Sequence, residues 1–277
     1  MITHGRRFGG LSDLMGLLES PIPPDSGRSS QYPSNPDWDL GLDWDGAVNI
    51  ARAGGYWPAG RERMSKVVAA AGRAAHMLPH GDDQGVVGHT LVVPDYVSGI
   101  PDCWIQAEEN DPTAILTIGV SVIASAGCHA EPMFNRGAAV LSLVDSLETQ
   151  GIRCRLSAVY CARWTDNGAE HLTIEDITVK DIGDHWNIDK AAFMLAHPGF
   201  MRRILLGMVE RGATAEARKI TNNAYGIPCG GTHSKQIKDA MGYDIFIPEL
   251  KSSDGRYETI DGALQCVMAH YRSEGAQ

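Results

Sequence analysis

Between Ala114 and Arg163 the chain reads ILTIGVSVIASAGC, then NRGAAVLSLVDSLETQG, then IRCRLSAVYCAR. The first run is nearly all apolar and rich in β-branched residues, the pattern of a strand buried on both faces. The second predicts a helix over Gly137–Thr149. Ala138, Val140, Leu141, Val144 and Leu147 fall on one face, and Gly151 closes it. The third predicts a strand over Arg153–Cys161. Strand, helix and strand joined by short links imply a right-handed parallel crossover. The fold class that follows is α/β, with a mostly parallel central sheet flanked by helices. Open sheets of this kind take their ligands beyond the carboxyl ends of the strands, so the loop Ser125–Phe134 holds the favoured position.

Composition narrows the function classes. With 277 residues there is room for one large domain or a domain with an appendage. The formal net charge of −10 argues against a broad phosphate-binding surface, and with it against duplex DNA as a partner. A mild basic cluster remains at Arg202, Arg203, Arg211, Arg218 and Lys219. No apolar run is long enough for a membrane span, and the N-terminus does not read as a signal peptide. Cys103, Cys128, Cys154, Cys161, Cys229 and Cys266 form no CxxC pair, so no zinc ribbon is expected. Cys154 and Cys161 lie in an apolar strand and read as reduced core residues of a cytoplasmic protein.

The chain divides unevenly. Residues 1–36 read as a short amphipathic helix, with Leu11, Leu14, Met15 and Leu18 on one face, followed by a proline- and serine-rich arm. The arm is expected not to fold alone, and the helix to dock on a groove of this chain or of a neighbouring copy. Residues 37–110 form a tryptophan-rich helical segment. One helix is capped by Asp43 or Asp45 and ended by Gly54-Gly55, a second covers Ala59–Met77, and low-signal strand candidates follow in Gly85–Gln106. Residues 111–277 carry the α/β part. There His171–Val179 alternates like a strand with one wet face. Ile188–Arg211 reads as a helix broken at Pro198, Tyr243–Pro248 as a strand, and Thr259–Arg272 as a closing helix.

Three sets of residues are candidates for chemistry. In the loop after the first apolar strand, Ser125, Cys128, His129 and Glu131 include a nucleophile, a base and a carboxylate; the competing reading is a polar cap on the sheet. Gly230, Gly231 and Thr232 precede a short helix and can offer backbone N–H groups to an anion. They lack the spacing of a phosphate-binding P-loop, and a tight turn with Thr232 or Ser234 as helix cap competes. Trp38, Trp44 and Trp57, with Arg202 and Arg203, are a candidate platform for single-stranded nucleic acid; the competing reading is a set of buried anchors. The histidines include no HExxH or HxH pair. No cofactor or metal is expected.

The strand, the ligand-type loop, the helix NRGAAVLSLVDSLETQG and the strand RCRLSAVY resemble the opening of a von Willebrand factor A-like domain. YDIFIPEL and the helix after it are similar to that fold's end. The resemblance covers roughly residues 114–270 and is one of pattern. In that family the first strand ends in Asp-x-Ser-x-Ser, which holds a divalent metal. The matching positions are Ile123, Ser125 and Gly127, of which only Ser125 fits. The resemblance thus implies the fold with a degenerate metal motif. The whole chain is also similar to phage- and prophage-encoded proteins with a tryptophan-rich N-terminal helical segment, which implies no defined activity. The leading expectation is a non-enzymatic adaptor that binds a protein partner or self-assembles. One alternative is an enzyme acting on a nucleotide or other phosphorylated ligand at the Ser125 loop. Another is an accessory protein for single-stranded nucleic acid.

Overall fold

The computed structural model describes residues 1–75, 84–85, 90–91, 104–105, 115–212, 215–222 and 224–274. The strands are β1 (Ile2–Phe8), β2 (Gln84–Gly85), β3 (Thr90–Leu91), β4 (Trp104–Ile105), β5 (Ile115–Ser121), β6 (Arg153–Asp166), β7 (Ala169–Lys180), β8 (Ile227–Pro228) and β9 (Ile245–Ile247). The helices are α1 (Leu11–Leu18), α2 (Pro36–Asp39), α3 (Trp44–Arg52), α4 (Pro58–Ala75), α5 (Ala130–Thr149) and α6 (Ile188–Ala196). A π-helical turn, Phe200–Leu205, then runs into α7 (Leu206–Glu210). It is followed by α8 (Ala215–Asn222), α9 (Gly230–Met241) and α10 (Ile260–Glu274).

The main sheet has the order β1-β7-β6-β5-β9, with β8 paired to the far part of β6. β5 runs parallel to β6 and β9, and β1 runs parallel to β7. β6 and β7 form an antiparallel hairpin whose turn, Asn167-Gly168, has positive φ at both residues, the geometry that matches strand twist. The molecule is therefore α/β with a mixed, mostly parallel sheet. The expected β5–α5–β6 parallel crossover is present. β2, β3 and β4 form a separate small antiparallel sheet, and most of Gly85–Gln106, where the sequence suggested strands, lies outside the described residues.

Alternation along the strands sorts the core into two layers. On one face, Ala158, Tyr160, Ala162 and Ile177 join the large apolar cluster under α5, α6 and α10. On the other, Val159, Cys161, Leu172 and Ile174 meet Ile237 and Met241 of α9, together with Tyr243 and Phe246. β7 is buried on both faces from Ile174 to Lys180, so the wet face expected from LTIEDITV is absent. Asp176 and Glu175 explain the misreading, since both are buried against arginines of β1.

β1 is the larger correction. Residues 1–36 were expected to lie outside the sheet, yet ITHGRRF is its edge strand. Arg6 grips Glu175 through Nε and Nη2 at 2.7–3.0 Å, and His4 Nε2 lies 3.0 Å from His171 Nδ1. The helix read at Leu11–Leu18 is present, and Leu11, Leu14 and Leu18 are buried in the core of the same chain. The arm after it is also fixed. Arg203, with no exposed surface, donates to the carbonyls of Ser30, Tyr32, Pro33 and Leu42 and to the Asp39 carboxylate. Glu210 accepts from Ser30 N–H at 2.8 Å, from the Ser30 hydroxyl, and from Tyr225 Oη at 2.6 Å.

Candidate functional site

Beyond β5 the chain stays extended through Ala124, which bridges to Leu250 beyond β9. Ser125 N–H donates to Leu250 O at 3.1 Å, and Cys128 N–H turns back to Ser125 O at 2.9 Å. The loop after β5 is thus laced to the segment after β9, at the carboxyl end of the sheet. Ser125 Oγ, at 3.5 Å, and Cys128 Sγ, at 3.8 Å, both face that same Leu250 carbonyl. Burial pushes the Cys128 thiol above its ordinary range, so it stays protonated at neutral pH.

The other two residues of this set do not join them. α5 begins at Ala130, earlier than the sequence predicts, which shortens the loop and makes His129 the N-cap. The His129 side chain is exposed and caps nothing. Glu131 lies in the first turn of α5, exposed, and pairs with Arg63 of α4. The structure therefore brings Ser125 and Cys128 together and leaves His129 and Glu131 outside. The divalent metal that the resemblance evokes does not fit, because Ile123 is a buried apolar side chain and the Ser125 hydroxyl faces a carbonyl. Among the described residues, no three His, Cys, Asp or Glu side chains gather so as to hold a metal.

Gly230, Gly231 and Thr232 do open α9, but only as a short turn, because the segment kinks at His233, whose φ of −121° is not helical. Its amino end already holds a carboxylate. Gly231 N–H donates to Glu249 Oε2 at 2.7 Å, and Lys251 Nζ lies 3.8 Å from Glu249 Oε1. A Cβ on Gly230 would sit 2.7 Å from Glu249 Oε2, so glycine is required for this approach. Thr232 is not the cap: its hydroxyl donates to Cys229 O at 3.2 Å and lies 2.8 Å from His233 Nδ1.

Two residues at this end escaped the sequence reading. Glu249 is one. The other is Arg136 of α5, which has no exposed surface. Its Nη1 donates to Pro248 O at 3.3 Å, while Nε and Nη2 have no hydrogen-bond partner. Burial lowers its pKa, and Tyr257, Cys128 and Glu249 act on it electrostatically in the opposite sense. A signal was available: in NRGAAVLSLV, Arg136 shares the helical stripe of Val140 and Val144. A charge in a buried stripe is the informative exception.

The nucleic-acid set is placed differently from the expectation. Arg202 and Arg203 both have no exposed surface. Arg202 donates to Trp38 O and, at 2.7 Å, to Cys128 O, and its guanidinium stands 4.7 Å from the Trp38 ring. Trp44 packs beneath Arg211 and against Gly207, and Trp57 meets His197 edge-on at 4.4 Å. All three rings are half-buried anchors of the helical layer. Both guanidiniums are buried, Arg203 with all its N–H groups engaged and Arg202 with only Nε unpaired, so neither is presented at the surface to a phosphate.

A family model described as a domain of unknown function, DUF7192, matches residues 5–274. The chain belongs to this family. No curated protein and no solved structure matches it. The DUF7192 match extends from within β1 to the end of α10. No helix among the described residues is long and apolar enough to cross a membrane.

Proposed function

We propose that this chain is a non-enzymatic protein-binding or assembly module of phage type, with a von Willebrand factor A-like sheet that meets its partner through the loops at its carboxyl end. The observation that carries this reading is the fate of the two candidate nucleophiles. Ser125 and Cys128 both turn onto one backbone carbonyl, burial raises the Cys128 thiol pKa, and the adjoining His129 is exposed. Catalysis needs a nucleophile within reach of a base, and this loop offers a pinned structure with an exposed polar rim instead. His129, Glu131, Lys251, Ser252 and Ser253 form that rim. The strand order β7-β6-β5-β9, with a helix between β5 and β6, supports the fold assignment. The five described cysteines are all free, which supports a reducing, cytoplasmic setting.

Site-specific photocrosslinking in the source cells tests the proposal. A photoreactive residue at His129 or Ser252 should give one discrete adduct, with another protein or with a second copy. The same residue at Thr149, at the far end of α5, should give none. Equal labelling at the two ends, or none at either, would sink the reading.

A further inference from the structure

We infer that Cys161 and Cys229 are a dithiol pair that a peroxide closes to a disulfide, stapling the start of α9 to β6. The strand register places them. β8 runs antiparallel to β6 with Arg163 opposite Ile227 and Ala162 opposite Pro228, so the next step sets Cys161 opposite Cys229. Residues opposite one another on antiparallel strands share a face, with Cα atoms about 4.5–5.5 Å apart, and a disulfide bridges Cα atoms about 4.4–6.8 Å apart. Both side chains enter the core layer formed with Val159, Ile237 and Phe246, whereas Cys128, Cys154 and Cys266 belong to the other apolar cluster. β8 takes up the edge of β6 just past the end of β5, so Ser121 and Cys229 approach Cys161 from one side. There the Cys161 thiol donates to Ser121 Oγ at 3.2 Å. The neighbouring Cys229 thiol, together with burial, holds the Cys161 thiol well above its ordinary range.

In the reduced chain both residues are buried, at 0% and 1% exposure, but their cover is thin. β8 has two residues, Ile227 is exposed, and Ala224, Tyr225 and Gly226 lead into it with φ of 53°, 65° and 74°. Two non-glycine residues in the left-handed region carry strain, so this edge is where the layer opens at least cost. On opening, one thiolate attacks hydrogen peroxide. The sulfur takes an oxygen and becomes a sulfenic acid, and the O–O bond breaks to release hydroxide, which regains the first thiol's proton as water. The partner thiol then displaces the oxygen: the S–S bond forms, the S–O bond breaks, and a second water leaves with the partner's proton. The two sulfurs have passed two electrons to the peroxide. Thiolate is scarce at Cys161 at neutral pH, so closure is slow and answers to sustained oxidant. Once closed, it fixes the segment that covers β1, where Gln236 Nε2 donates to Thr3 Oγ1 at 3.0 Å and Arg7 donates to Met241 O. This device is independent of the loop-end reading.

The test treats the full chain with hydrogen peroxide, once folded and once in urea, then blocks remaining thiols and maps linked peptides by mass spectrometry. The folded chain should give the Cys161–Cys229 link as its dominant product, with the loss of two hydrogens in mass, and dithiothreitol should reverse it. In urea the links should spread over other cysteine pairs. Hydrogen exchange in α9 should be slower in the oxidised chain than in the reduced one, and the urea midpoint should rise, because the closed link constrains the unfolded chain. Cys229→Ser should abolish the link and leave Cys161 as a sulfenic acid that dimedone traps. The native-chain mapping needs no variant, so it decides even if Cys229→Ser does not fold. Absence of the link, a link no more favoured in the folded chain than in urea, oxidation of either sulfur beyond sulfenic acid without a link, or a link that leaves α9 exchange unchanged overturns the inference.

Discussion

Arg203 and Arg136 are the same residue type with the same complete burial, and the structure treats them in opposite ways. Arg203 sits where the N-terminal arm crosses the π-helical turn, and its five N–H groups meet four carbonyls and the Asp39 carboxylate. Arg136 sits at the carboxyl end of the sheet and makes one hydrogen bond, to Pro248 O. A saturated buried cation holds the fold together. An unsaturated one costs stability where it sits, because its buried donors have given up water without gaining partners. The arm seam is therefore satisfied around Arg203, with the neighbouring Arg202 Nε unpaired, while the sheet end holds the less satisfied arginine of the two compared.

The largest expected effect separates the two arginines directly. Arg203→Leu strands the Asp39 carboxylate in the interior and should cost about 3–5 kcal/mol, the usual result of removing one partner of a buried pair. Arg136→Leu removes a poorly satisfied charge from an apolar stripe and should cost no more than about 1 kcal/mol. Urea denaturation measures both, and equal losses would erase the distinction.

Acid should loosen the seam side next. Burial pushes His197 down to about 4 from 6.5, so the folded chain refuses a proton that the unfolded chain accepts. Its contribution is complete above pH 6.5 and is lost as pH falls toward 4, for a total of about 3 kcal/mol at 1.36 kcal/mol per unit. His197 packs on Trp57, so hydrogen exchange in α4 should rise through this window before it rises in β5. His197→Asn should flatten the acid limb; an unchanged slope would show that the histidine is not the cause.

Paired serine variants sharpen the contrast further. Ser30→Ala takes a hydroxyl from the buried Glu210 carboxylate and should cost about 2 kcal/mol. Ser125→Ala loses only a 3.5 Å contact to Leu250 O and should stay within about 0.5 kcal/mol. Smallest of all is the expected chemical response of Cys128. Its raised thiol pKa predicts slow alkylation by iodoacetamide at pH 7, with the rate still climbing above the range of an ordinary thiol. Rapid labelling at neutral pH would reopen the catalytic reading of this loop.

What the sequence disclosed follows from which forces shape each part. β5, α5 and β6 are legible because burial on known faces writes a period into the residues, and Asp43 and Gly54-Gly55 mark the ends of α3 by local chemistry. The break at Pro198 is legible for the same local reason, since α6 ends at Ala196. β1 is not, because ITHGRRF has no apolar alternation and is held by Arg6, Arg7 and His4 against a strand remote in sequence. At the candidate site, the loop position was readable from topology and the charged residues buried around it were not. Polar residues drew attention to Ser125, Cys128, His129 and Glu131, whereas Arg136 and Glu249 lie in or beside apolar runs. Arg202 and Arg203 were read as surface cations because their type is usually exposed, and the π-helical turn that buries them leaves no local mark.

The position of β1 also sets a timetable. It is made long before its partner strand, since Ile2 pairs with His171, about 170 residues later. At typical synthesis rates that is a wait of roughly 10–30 s, during which Arg6 and Arg7 lack the carboxylates they will meet. Placement of the strand is the longest-range event in the fold, and closure over such a separation is intrinsically slow. The charged, apolar-poor sequence of β1 suits that interval, since it keeps the nascent strand solvated and unattractive to other edges until β7 is made.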